Sequence, residues 1–157
     1  MEKTELYETF QKGLTSVNGE SYIAKKADVA ATLTKIFQDK DTHEVALVET
    51  PLLKEIGAVD ALKAAGIKVD TDHLRKNAPD DKGGVTEADY GIANLGSIVQ
   101  MKDDIDCRIV ETVSDVYVGI VKLSKIVDTF DDMIDIMAET KPFPKFAGII
   151  TGPSRTA

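Results

Sequence analysis

The sequence predicts an α/β fold in which helices flank a mixed β-sheet, and three observations point that way. Val45 to Val69 reads as strand, helix and strand with short joints, the pattern of a right-handed βαβ unit. Gly91–Val99, Arg108–Val113 and Tyr117–Leu123 look like three strands in succession, and strands joined by tight turns pair antiparallel. A last apolar run, Phe146–Ile150, reads as a central, parallel strand that feeds directly into Thr-Gly-Pro-Ser-Arg-Thr.

Taken in order, Tyr7, Phe10, Leu14 and Val17 recur at helical spacing until Asn18-Gly19 breaks the pattern. Ser21–Ala24 suits a short strand, and Asp28 suits the N-cap of a helix with Val29, Leu33, Ile36 and Phe37 as its apolar stripe. Val45–Val48 is compact and apolar enough for a buried parallel strand. Thr50-Pro51 supplies a cap and a first helical residue. The helix there carries Leu52, Leu53, Ile56, Val59 and Leu62, hesitates at Gly57 and stops at Gly66, before Ile67–Val69 resumes a strand. Thr71–Gly84 is polar and reads as a surface loop with room for one helical turn. Lys102-Asp103-Asp104 reads as a hairpin turn. Thr129 with Asp132 forms a capping box for a helix whose core face is Phe130, Met133, Ile134 and Met137.

The chain of 157 residues is long enough for a real core and implies one domain, 1–157, with 1–18 as a peripheral N-terminal helix. A net charge of −8 without a basic patch disfavours nucleic acid as a partner. No run approaches the ~18 apolar residues of a membrane span, and MEKTELYETF is not a secretory leader; a single cysteine fits a reducing cytoplasm, the compartment expected. Cys107 is the only cysteine, which rules out an internal disulfide, a thiolate zinc site or a self-contained iron–sulfur cluster. It follows an acidic turn at a strand start and suits packing better than nucleophilic work. His43 and His73, the two histidines, lie among charged residues and read as surface positions. Asp103, Asp104 and Asp106 lack the ligand spacing of a calcium loop and read as a solvated turn.

Two stretches could carry chemistry. Gly84–Gln100 contains Thr86 and Asp89 at capping spacing, and with the preceding Gly83 it places four glycines, Gly83, Gly84, Gly91 and Gly96, within fourteen residues. Its exposed N–H groups, with Asn94 and Ser97, could line an anion pocket; equally, the glycines could serve a tightly packed crossover. Thr151, Gly152, Ser154 and Arg155 would lie beyond the carboxyl end of the last strand, where open α/β sheets bind ligands. There the Arg155 fork suits a carboxylate or phosphate. The competing reading is a loose chain end.

Together these stretches resemble the LUD domain of the lactate utilisation protein C family. The resemblance is carried by Gly84-Val85-Thr86, Ala88-Asp89, Ile92-Ala93 and Gly96-Ser97, by Lys125-Ile126-Val127 with Thr129, Asp131 and Asp132, and most specifically by Ile150-Thr151-Gly152-Pro153-Ser154-Arg155-Thr156-Ala157. It implies a Rossmann-like fold similar to the sugar-phosphate isomerase and CoA-transferase-like group, and a cytoplasmic role in oxidising L-lactate to pyruvate beside iron–sulfur oxidoreductase subunits. Any cluster would belong to such a partner, because this chain lacks the cysteines. The family usually has Glu-Thr-Gly-Thr where this chain reads Asn94-Leu95-Gly96-Ser97, so a group able to transfer protons is replaced by an amide. It also usually has proline and histidine near the fourth strand, where Ser114, Asp115 and Tyr117 stand.

The resulting expectation is an anion site in which Thr151, Gly152, Ser154 and Arg155 face Thr86, Asp89, Asn94, Gly96 and Ser97. Its ligand would be a small carboxylate or phosphate. An enzyme acting on a phosphorylated or CoA-activated molecule, with Glu87 or Asp89 as its acid or base, is one alternative. An assembly subunit that pairs with its own copy is the other.

Overall fold

The computed structural model describes residues 3–153. It bears out the α/β class and divides the strands between two four-stranded sheets, each in its own compact unit. One unit comprises Tyr22–Glu87 and Asp104–Ile120; the other takes the described residues up to Ser21, then Ala88–Asp103, then those from Val121 onward.

The first unit holds an all-parallel sheet. Its strands are β1 (Glu44–Leu47), β2 (Lys68–Asp70), β3 (Gly83–Glu87) and β6 (Val116–Ile120), in the order β2-β1-β3-β6. The βαβ expectation holds here. Thr50 caps α3 (Pro51–Glu55) by accepting the Leu53 N–H at 3.3 Å, and Gly57, at φ +67°, starts a separate α4 (Ala58–Ala64). Leu33 and Phe37 of α2 (Val29–Asp39) pack with Val45, Leu47, Leu53, Leu62 and Val85 into one aliphatic core. Several expectations fail in this unit. Ser21–Ala24 is not a strand, and the Asp28 side chain caps nothing, because a 3-10 turn over Lys26–Asp28 already leads the chain into α2. The Thr71–Gly84 loop does contain the anticipated turn, α5 (Leu74–Asn77), but Gly83 and Gly84 belong to β3.

Thr86 is likewise mid-strand, not the cap of a turn. Glycine is needed because Phe37, Thr42 and Val45 fill the space beside Gly83, and Ser114 and Val110 the space beside Gly84. Arg108–Val113 is helical, within α6 (Ile105–Val113), and not a strand. The Asp104 carboxylate accepts the Asp106 N–H at 2.8 Å, so the acidic turn is a helix start and not a hairpin, and Cys107 and Val110 form the buried face.

The second unit holds β4 (Tyr90–Ile92), β5 (Ser97–Met101), β7 (Ile126–Val127) and β8 (Ala147–Ile150), in the order β7-β4-β5-β8. β4 and β5 form an antiparallel hairpin, and β7 runs parallel to β4. β8 is an edge strand antiparallel to β5, not a central parallel one, and Ile149 is accordingly 39% exposed. Two small clusters support the sheet: Phe10 of α1 (Lys3–Ser16) with Ala93 and Ile126, and Met133 of α7 (Phe130–Glu139) with Ile92 and Val99. The capping box of α7 is present, with Asp132 accepting from both the N–H and the hydroxyl of Thr129. Its buried face is Met133 with Ile136 and Met137, whereas Phe130 and Ile134 are exposed. No helix of the described residues is long and apolar enough to cross a membrane.

Candidate functional site

The β4–β5 hairpin and the end of β8 bring the two sequence motifs together within the mixed unit. A 3-10 turn over Ala93–Leu95 closes on Gly96, whose φ of +63° favours glycine. A Cβ there would lie 2.0 Å from the Leu14 backbone nitrogen, and one on Gly13 would lie 2.7 Å from the Gly96 nitrogen. Gly96 therefore serves backbone-to-backbone packing of the turn on α1. Ser97 follows and is fully buried at the start of β5.

Because Ile98 sits opposite Ile150, the next residue of each strand end brings Ser97 level with Thr151, and their hydroxyls hydrogen-bond at 2.6 Å across 54 residues of sequence. The bond gives the buried Ser97 hydroxyl the partner it needs; an unsatisfied one would cost about 1–3 kcal/mol. Gly152, also at φ +63°, then turns the chain so closely past Val17 that a Cβ would meet its side chain at 2.7 Å.

Not every expected residue joins this corner. Asn94 is exposed in the 3-10 turn, where its backbone N–H donates to the Asp128 carbonyl at 3.0 Å. Asp89 sits at the far end of the β5 ladder: its Oδ2 accepts the Met101 N–H at 2.7 Å, and the Lys102 ammonium is 3.7 Å from its Oδ1. Thr86 belongs to the parallel unit, fully buried, with its hydroxyl 2.7 Å from that of Tyr117. Ser154 and Arg155 lie outside the described residues.

The parallel unit adds two polar features. At the carboxyl ends of β1 and β3, the Thr50 hydroxyl donates to Glu87 at 2.5 Å. β1 leads to β2 on one side and has β3 on the other, so this pair occupies the kind of switch point at which α/β sheets bind ligands. A buried acid cluster that sequence reading missed lies elsewhere in the same unit. Asp81, 2% exposed, has its Oδ1 3.6 Å from the Lys68 ammonium, and Lys68 contacts Asp70 at 2.9 Å. The buried Asp70 Oδ2 has the Lys68 ammonium as its neighbour, whereas the buried Asp81 Oδ2 accepts no hydrogen bond among the described residues. Burial first, then the Asp70 carboxylate, pushes the Asp81 carboxyl above its ordinary range, against the pull of Lys68. The hydrogen bond to Asp70 correspondingly pushes Lys68 up. Its only sequence signal was an acid preceding a glycine pair in a polar stretch.

The structure is similar to the crystal structure of a DUF162 family protein from Deinococcus radiodurans, with a TM-score of 0.72. The match covers 96% of this chain and 89% of that one at 12% sequence identity, so it speaks for the fold. Comparison with curated proteins gives no match. The family model described as the LUD domain matches residues 7–157, and the chain belongs to that family.

Proposed function

We propose that this protein is a non-redox component of L-lactate utilisation, and that it binds a small carboxylate or phosphate at the corner where its two motifs meet. The supporting observation is the Ser97–Thr151 hydrogen bond, which joins the glycine-bearing turn to the start of the Thr-Gly-Pro-Ser-Arg-Thr segment. Thr151 is exposed and Gly152 half-buried, so the outer side of the corner can meet a ligand. On this reading Arg155 supplies the positive charge, and any iron–sulfur cluster resides in a cytoplasmic partner subunit. Calorimetric titration with L-lactate, pyruvate, inorganic phosphate and CoA tests the reading. One of these ligands is expected to bind, with Arg155→Ala and Thr151→Val each weakening it; failure of all four to bind would sink it.

The alternative, an enzyme acting on a phosphorylated or CoA-activated molecule, needs a carboxylate to move protons. Asp89 is engaged by a backbone N–H and a lysine at the far end of β5. Glu87, held by Thr50 at the switch point, is the better placed. Turnover of such a substrate that is abolished by Glu87→Gln would favour the enzyme.

A further inference from the structure

The mixed unit contains a second concave site, at the opposite end of the β5–β8 ladder from Ser97 and Thr151. There Met101 pairs with Ala147, and the segment leaving α7 folds over the ladder's end. The cavity measures about 470 Å³, within the roughly 300–1,000 Å³ of small-molecule sites. Tyr90, Met101 and Phe143 provide apolar walls, and Asp89, Asp103 and Lys145 provide charge. Phe143 is 50% exposed although it lies between two prolines beside this hollow, which leaves a large aromatic face to water.

Both carboxylates are held by backbone N–H groups. Asp103 Oδ1 accepts from Lys145 at 2.6 Å and Asp89 Oδ2 from Met101 at 2.7 Å. Each keeps a second oxygen with accepting capacity: Asp103 Oδ2 has no protein partner among the described residues, and Asp89 Oδ1 has only a lysine at 3.7 Å, beyond good hydrogen-bond distance. A ligand that is only anionic would face two fixed acids. One that is only apolar would strip water from them without replacement. One that is only cationic would bring no counter-charge for Lys145, which also lines the hollow, nor for the Lys125 ammonium, 5.1 Å from the centre of the Tyr90 ring.

The chemistry that answers every wall carries both charges on an apolar body. We infer that this cleft is a binding site for a zwitterionic amino acid with an aromatic or large aliphatic side chain. The ammonium meets Asp103 and Asp89, the carboxylate meets Lys145, and the side chain packs on Phe143 and Met101. The inference uses none of the residues of the proposed anion corner; Asp89, which the sequence grouped with that corner, lines this cleft instead.

Titration calorimetry of the full chain with L-phenylalanine, phenethylamine and 3-phenylpropionate tests it. L-Phenylalanine is expected to bind saturably, the amine more weakly and the acid not measurably. Asp103→Asn, which retains an oxygen for the Lys145 N–H, should weaken L-phenylalanine by about tenfold, the scale of one charge-assisted hydrogen bond near a surface. Phe143→Ala, at an exposed position, should weaken it as well. Absence of saturable binding by L-phenylalanine, equal binding of the acid alone, or unchanged affinity in both variants would each overturn the assignment.

Discussion

The two units solve the same problem, covering a four-stranded sheet, by different means. The parallel unit packs one face of its sheet with a large aliphatic cluster around Phe37 and adds a second, smaller one around Val110, and it tolerates a titratable acid at depth, Asp81. The mixed unit has two small clusters, and its turn relies on glycine backbones in van der Waals contact, Gly96 against Gly13 and Leu14. Side-chain volume stabilises the first; absence of side chains permits the second. Removing side-chain volume should therefore be the damaging change in the first unit, and adding it the damaging change in the second.

The largest expected effect is in the parallel unit. Phe37 is fully buried, and Phe37→Ala should cost about 3–5 kcal/mol of unfolding free energy in urea. Adding volume should be nearly as damaging in the mixed unit. Gly96→Ala combines a positive φ with an unavoidable backbone clash, so a loss of roughly 2–4 kcal/mol is expected. Gly57→Ala is the control, because it shares the positive φ but its Cβ would meet nothing within 4 Å. It should lose only about 1 kcal/mol, and equal losses at the two glycines would remove the contrast between packing and conformation.

A smaller effect concerns charge. The folded state raises the Asp81 pKa above its ordinary value of 3.8, so the folded chain retains a proton that the unfolded chain has already released. That contribution to stability is complete below the unfolded pKa and declines as pH rises through the folded one. Asp81→Asn should flatten this decline and raise stability at neutral pH by on the order of 1 kcal/mol; denaturant midpoints measured across pH check both. Asp132 has the opposite sign. The Thr129 hydroxyl, then its backbone N–H, holds the carboxyl below its usual range, so its contribution fades as pH falls through that lowered value. Thr129→Ala should destabilise the helix start by removing the acceptor of the Asp132 N–H, a loss that persists at every pH, while the further loss from the Thr129 hydroxyl's bond to the Asp132 carboxylate should fade in acid.

How much of this was legible in the sequence follows the same division. Val45–Val69 announced itself because strand, cap, helix and glycine stop are all local signals, and the structure realises each. β3 is hidden in the sequence, where Gly83 and Gly84 resemble a loop end and Thr86 with Asp89 a capped turn, because the two glycines are chosen by Phe37, Val45, Val110 and Ser114, residues distant in sequence. α6 resembles a strand in sequence because Ile109, Val110, Thr112 and Val113 are β-branched, a local preference overridden by the Asp104 cap and the buried Cys107–Val110 face. Strand β8 gave no sign of being an edge, since its apolar composition is the same in either setting.

At the candidate site, Ser97 and Thr151 were both anticipated and do meet. Thr86 and Asp89 lie near Ser97 in the chain, but Thr86 belongs to the parallel unit and Asp89 sits at the far end of the β5 ladder. In a strand, a few residues are enough to carry a side chain to the other end of the sheet, and Asp89 has made that passage. Gly96 was weighed as a ligand-facing glycine and as a packing glycine, and its contact with α1 supports the second.

The account rests on the closure of the mixed unit through the Ser97–Thr151 bond. A double-mutant cycle with Ser97→Ala and Thr151→Val, read by urea unfolding, tests it most directly. The two positions should be coupled by about 1 kcal/mol, the net worth of an intramolecular hydrogen bond, so that the double variant loses little more than the worse single one. Losses that add to within about 0.3 kcal/mol, as independent sites do, would contradict it.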